Sequence, residues 1–175
     1  MKKKSLEKLE LAKARRNSNK PTRINILALD QATHCGVAYE TRVMKGKYQC
    51  ELWDLTKKTK ESDGVKWLRF ESHIEKIIRE HNIEIIAYEL PAGQHMGAKI
   101  HSAKLIAIIE RVAELNKIQY IEHSSMTVKK FATGKGNAKK EQMVEAARGK
   151  LGYQGDNDNE ADALWMLMYT KSQLN

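Results

Sequence analysis

The segment INILALDQATHCGVAYE (residues 24–40) decides the fold class of this chain. Its first part, residues 24–31, is a short, mostly apolar run that ends in a carboxylate, Asp30. A tight turn through residues 32–36 leads into a second apolar run, and a third run, YQCELWDL (residues 48–55), follows the turn sequence MKGK. Short apolar runs bounded by turn residues are typical of strands. We therefore predict a meander of three strands.

The rest of the chain alternates helical and strand patterns. Residues 62–82 begin with helix-capping residues and repeat bulky apolar side chains at helical spacing. Residues 83–90 and 118–122 are β-rich runs, and residues 98–116 between them have a helical pattern. Further helices are predicted at residues 125–132, 138–150 and 161–169. The order βββαβαβ followed by helices predicts one α/β domain, residues 24–175, with a mixed five-stranded sheet covered by helices on both faces.

Composition and length exclude several classes of protein. The chain has 175 residues, of which 41% are hydrophobic and 30% charged, as in globular domains. No apolar run approaches the roughly 18 residues of a membrane span, and the N-terminus lacks the apolar core of a secretory signal. Two cysteines are too few for a disulfide framework. We therefore expect a cytoplasmic protein that has no membrane partner.

Charge is unevenly distributed along the chain. Residues 1–23 hold nine Lys or Arg against two Glu, so this basic N-terminal arm or helix supplies most of the net charge of +9. The segment VKKFATGKGNAKK (residues 128–140) has five lysines and no acid, whereas residues 156–162 hold four acids and no base. The five lysines are Lys129, Lys130, Lys135, Lys139 and Lys140. A positive loop beside a negative pocket suits a polyanion whose phosphate also meets a metal, although two solvated surface segments would show the same charges.

Two carboxylates end predicted strands. Asp30 ends the first strand and Glu89 ends the fourth. Ligands of open α/β sheets bind beyond the carboxyl ends of the strands, so these side chains can converge if the two strands are neighbours, which sequence order leaves open. A single Asp at a strand end is commonly a turn residue. Glu89, by contrast, lies in the apolar context IIAYEL, where an unpaired carboxylate costs several kcal/mol.

A third carboxylate, Asp162, lies one turn inside the last helix and precedes ALWMLM. The helix dipole accounts for Asp156, Asp158 and Glu160 at the start of this helix, but its effect fades within the first turn and accounts poorly for Asp162. Three carboxylates brought together would repel one another unless Mg²⁺ or Mn²⁺ neutralised them. These residues therefore indicate a candidate metal site.

Four segments together resemble the RuvC family of Holliday junction resolvases, within the RNase H-like superfamily. They are LALDQATHCGVA, IIAYELP, VKKFATGKGNAKKEQM and NEADALWM, and the resemblance covers residues 24–171. The chain looks most like the bacteriophage-encoded members, which would place it in the bacterial host cytoplasm. The resemblance implies that Asp30, Glu89 and Asp162 are catalytic metal ligands, and that Lys129 and Lys140 contact DNA phosphates near the scissile bond.

The activity that the resemblance implies is cleavage of four-way (Holliday) and other branched DNA, leaving 5′-phosphate and 3′-OH ends. Two Mg²⁺ or Mn²⁺ ions would serve each site, one activating water and the other stabilising the leaving oxygen. A four-way junction presents two equivalent strands, so we expect a homodimer, with residues 98–116 as its candidate face by resemblance. The alternative is a catalytically inactive RNase H-like module that binds nucleic acid and can dispense with metal.

Two positions depart from the family pattern. Asn159 stands where the family usually has Asp or His, and the loop PAGQHMGAK offers His95 and Met96 where bacterial members carry an aromatic residue. On a helix, residues 158 and 159 both lie within about 60° of the face of Asp162. We expect Asn159 to complete the metal site, with Asp158 as helix cap and nearby acceptor; the reverse assignment makes Asp158 the fourth ligand.

Overall fold

A computed structural model describes residues 24–90 and 96–174 of the protein. The described elements, in chain order, are β1 (Ile26–Asp30), β2 (His34–Glu40), a short 3-10 helix (Arg42–Met44), β3 (Gln49–Asp54), α1 (Asp63–His81), β4 (Ile85–Leu90), α2 (Met96–Leu115), β5 (Gln119–Ser124), α3 (Ser125–Thr133), α4 (Lys140–Leu151) and α5 (Asp158–Leu174). This order confirms the predicted βββαβαβ pattern followed by helices.

The five strands form one mixed sheet in the order β3-β2-β1-β4-β5. The β1, β2 and β3 strands form the antiparallel meander, while β4 runs parallel to β1 and β5 runs parallel to β4. Because β1 and β4 are parallel neighbours at the centre of the sheet, their carboxyl ends meet at the same edge. This adjacency is the condition that sequence order left open for Asp30 and Glu89.

Helices cover both faces of the sheet, as predicted. On one face Leu27 and Leu29 of β1 pack with buried residues of α1 and α2. On the other face Ile26 and Ala28 pack with buried residues of α3, α4 and α5. Side chains alternate between the faces of a strand, so Asp30 continues the series of Ile26 and Ala28 and faces the α5 layer.

Two local predictions were wrong. The turn after β1 is shorter than expected, since β2 already begins at His34 and Gly36 pairs with Asp30 inside the sheet. The last helix begins at Asp158 and its cap is Asn157, whose Oδ1 accepts hydrogen bonds from the backbone N–H groups of residues 159 and 160. Asp158 is therefore not the cap. Its carboxylate is free of that role because the preceding Asn side chain already satisfies the helix N-terminus.

Two predicted features lie outside the described residues: the basic arm, residues 1–23, and the loop that contains His95. Within residues 24–90 and 96–174, no helix combines the length and the apolar character needed to cross a membrane.

Candidate active site

Asp30 and Glu89 lie side by side at the carboxyl edge of the sheet. The parallel pairing of β1 and β4 extends to Leu29 opposite Tyr88, and the next residue on each strand is the carboxylate. Each is partly buried. The sheet register therefore brings together two carboxylates that are 59 positions apart in the sequence.

The side chain of Gln31 connects the carboxyl ends of β1 and β4 through two hydrogen bonds. Its Nε2 donates a hydrogen bond to the carbonyl oxygen of Glu89 at 2.5 Å, and its Oε1 accepts one from the Glu89 backbone N–H at 3.1 Å. Gln31 is buried, so water competes little for either bond. Gln31 is not among the predicted site residues, although its place directly after an apolar strand is a signal that identifies it as a candidate.

The first turn of α5 packs directly on β2 beside Asp30, and this contact positions Asp162. A Cβ atom built on Gly36 would lie 1.9 Å from the carbonyl oxygen of Asn159. Glycine is thus required here for close approach of two backbones. The sequence pattern predicts a turn at Gly36, whereas its packing role depends on the position of α5 over β2.

Burial, with a smaller effect from neighbouring negative charges, raises the pKa of all three candidate carboxylates. Burial, followed by the charges of Glu89 and Asp162, raises the pKa of Asp30 well above its ordinary value. Burial and then Asp162 raise the pKa of Glu89, against the opposing effects of a hydrogen bond from Ser125 and of the Lys129 charge. Burial raises the pKa of Asp162 to about 6, although Lys129 opposes the shift. The three predicted carboxylates therefore form one coupled group.

Two of the five predicted lysines lie against this group. The positive charge of Lys129 on α3 lowers the pKa of both Glu89 and Asp162. Lys140, the first residue of α4, forms an ion pair with Asp158, the first residue of α5. The other three predicted lysines are exposed along α3 and the segment that joins it to α4: Lys130, Lys135 and Lys139. The charges of Lys129 and Lys140 thus act on the candidate carboxylates.

The donors at this edge fit a divalent cation. Within the described parts of the chain, no three His, Cys, Asp or Glu side chains are already arranged as a metal-binding cluster. However, Oδ1 of Asp162 is buried and has no hydrogen-bond partner among the described residues, which is costly unless a ligand satisfies it. The neighbouring acids, Asp30 and Glu89, supply carboxylate oxygens, the type of ligand that Mg²⁺ and Mn²⁺ bind.

Comparisons with known proteins support the same fold. No protein-family model and no curated protein sequence matches the chain. Among solved structures, it is similar to Thermus thermophilus RuvC in complex with a Holliday junction substrate, with a TM-score of 0.71 and 17% identity over 87% of this chain and 96% of that one.

Two further structures are similar to this chain. The yeast mitochondrial Holliday junction resolvase has a TM-score of 0.60 and 12% identity over 94% of this chain and 86% of that one. The fowlpox virus resolvase, in complex with substrate Holliday junction DNA, has a TM-score of 0.52 and 17% identity over 87% of this chain and 100% of that one. These similarities show that the chain has the RNase H-like fold of the RuvC-type resolvases.

Proposed function

We propose that this protein is a structure-selective endonuclease that cleaves four-way and other branched DNA. The observation that carries the proposal is the convergence of Asp30, Glu89 and Asp162 where β1, β4 and α5 meet, with Lys129 and Lys140 beside them. Carboxylates flanked by lysines suit a phosphodiester, because the acids bind divalent cations and the lysines bind phosphate oxygens. The fold shared with solved resolvases agrees with this activity.

The residues that would hold Mg²⁺ or Mn²⁺ are Asp30, Glu89, Asp162 and Asn159, with two ions as the expected number. When bound, the metal would supply an activated water and stabilisation of the leaving 3′ oxygen, which leaves a 5′-phosphate. Gln31 holds the backbone beneath Glu89 in place through its two hydrogen bonds. Pre-positioned ligands reduce the reorganisation that would otherwise slow the reaction.

The five lysines would contact different phosphates of the DNA. Lys129 and Lys140 lie close enough to the carboxylates to shift their pKa values, so we assign them to the phosphate that is cleaved. The three exposed lysines of the α3–α4 segment would contact phosphates farther along the strand: Lys130, Lys135 and Lys139. Phosphate contacts of this kind position the duplex without reading its sequence.

We also propose that the protein acts as a homodimer through α2. Met96 and Ile100 are four residues apart on this helix and are 70% and 50% exposed. Leu68 on the neighbouring helix α1 is 67% exposed. An apolar stripe in water favours association, and a twofold dimer would present two sites to the two equivalent strands of a junction. Sedimentation of the full chain, compared with an Ile100→Glu variant, tests this assembly.

A nicking assay tests the proposed activity. The substrates are synthetic four-way, three-way, flap and linear duplex DNA, each with and without Mg²⁺. We expect Mg²⁺-dependent cleavage of the branched DNA, and loss of cleavage with retained junction binding in Asp30→Asn. Asp54→Asn is the matched control, because Asp54 also ends a strand but is exposed and pairs with His34.

The alternative of an inactive binding module makes the opposite prediction. It expects junction binding that is unchanged by Mg²⁺ and no cleavage by the wild-type protein. Retained cleavage by Asp30→Asn in Mg²⁺ would show that the active site lies elsewhere.

A further inference from the structure

Lys140 lies among the acidic side chains of the candidate site. Its Nζ pairs with Oδ2 of Asp158. Its charge also lowers the pKa of Asp30 and of Asp162, so the ammonium group acts on carboxylates from two different elements. The pairing raises the pKa of Lys140 itself, first through the hydrogen bond to Asp158. Lys140 is therefore a positive charge that already neutralises part of the site.

The ion pair between Lys140 and Asp158 can dissociate at little cost. The Lys140 side chain is 69% exposed, and exposed ion pairs contribute little net stability. A cavity of about 400 Å³ lies beside the pair and is lined by residues of α4 together with Asp156 and Asp158. The flexible four-carbon stem of lysine can swing into this space without backbone movement.

We propose that Lys140 is a built-in counterion that competes with the divalent cation for the acidic site until a DNA phosphate draws it away. The inference rests on the proposed function, because it requires a metal at Asp162 and a phosphate nearby. The ammonium group of Lys140, paired with Asp158, would repel a divalent cation bound at Asp30 and Asp162, because its charge already acts on these two carboxylates. When Lys140 pairs with an incoming phosphate, its positive charge no longer opposes metal binding at Asp30 and Asp162.

This exchange couples the two ligands of the enzyme. A phosphate that removes Lys140 from the acids strengthens metal binding, and by thermodynamic reciprocity the metal strengthens phosphate binding. Metal would thus bind weakly to the DNA-free protein and tightly to the complex. With such coupling, the protein binds the metal tightly only after it has bound its DNA substrate.

The test is Mn²⁺ affinity of the full chain without DNA, measured by electron paramagnetic resonance of free Mn²⁺. We expect Lys140→Gln to bind Mn²⁺ about fivefold more tightly than the wild type, the fold-change that an exposed charge pair supports. The same variant should bind junction DNA more weakly in metal-free buffer. Lys76→Gln removes the same charge from α1 on the opposite face of the sheet and should leave the Mn²⁺ affinity unchanged.

The Asp162→Asn variant separates this inference from the proposed function. If Asp162→Asn abolishes Mn²⁺ binding while Lys140→Gln leaves the affinity unchanged or lower, the counterion role is refuted and the metal site stands. If Asp162→Asn binds Mn²⁺ like the wild type, the metal lies elsewhere, and both the proposed site and the counterion role are refuted. Opposite changes in metal and DNA affinity in Lys140→Gln support the exchange, because loss of a merely structural residue would weaken both.

Discussion

Replacing Gly36 with alanine is expected to displace Asp162 from Asp30 and Glu89. The added Cβ would lie 1.9 Å from the carbonyl oxygen and 2.2 Å from the carbonyl carbon of Asn159, whereas ordinary contact begins at 3.4 Å. The first turn of α5 must therefore move by about 1.5 Å, the difference between contact and overlap, because packed interiors hold no spare space. Overpacking of this kind costs about 1–3 kcal/mol of the free energy of unfolding.

The displacement should affect catalysis more than folding. A misplacement of about 1 Å can slow an enzyme roughly 100-fold, so we expect single-turnover nicking of a synthetic four-way junction in Mg²⁺ to fall by about that factor. Junction binding should persist, because the lysines lie on other elements. Urea unfolding of the same samples measures the stability loss and shows that the variant is folded during the assay.

Gly149→Ala is the matched control for this substitution. Gly149 lies in α4, and within the described residues no atom beyond its chain neighbours and the backbone of its own helix lies within 4 Å of the Cβ that alanine would add. Alanine is favoured over glycine inside a helix, so this variant should gain about 0.5–1 kcal/mol in stability and keep its nicking rate. Wild-type nicking and wild-type stability in Gly36→Ala would refute the role assigned to the contact between β2 and α5.

Lys129→Ala should weaken junction binding for all sequences. It should also reduce the magnitude of the slope of log binding constant against log salt concentration by about one, because one phosphate contact is lost. An unchanged slope would show that Lys129 is an ordinary surface residue that does not contact DNA phosphate. Asn159→Ala should reduce Mg²⁺-dependent nicking with little change in melting temperature, whereas Asp158→Asn should retain nicking; if Asp158→Asn abolishes it in a folded protein, Asp158 is the fourth ligand. Burial against Thr170 and its neighbours lowers the pKa of His123 from its ordinary 6.5 to about 4. The unfolded chain thus takes up this proton first as the pH falls, so the contribution of His123 to the free energy of unfolding should fall by up to about 3 kcal/mol between pH 6.5 and 4. Urea titrations should show the difference in free energy of unfolding between the wild type and His123→Gln changing by that amount over this range, because the carboxylates with raised pKa values titrate alike in both proteins.

Local pattern in the sequence is enough to predict most of the elements. Apolar runs and turn residues define the strands, and helical spacing defines residues 62–82, which the structure places at Asp63–His81. The errors occur where packing overrides local signals. Helix α5 extends beyond its predicted end at residue 169 to Leu174, because its apolar face continues to be buried against the sheet.

What the sequence determines by itself is the chemistry available: carboxylates at strand ends, an acid inside a helix and a lysine-rich segment. These follow from neighbouring residues, since strand and helix periodicity depend on short stretches of chain. Only the tertiary structure decides which of these groups meet. The adjacency of β1 and β4, the Gln31 bonds to the Glu89 backbone, the Gly36 contact with Asn159 and the Lys140–Asp158 pair all join separate elements. Such contacts depend on how the whole sheet and its helices pack, and no local pattern encodes them.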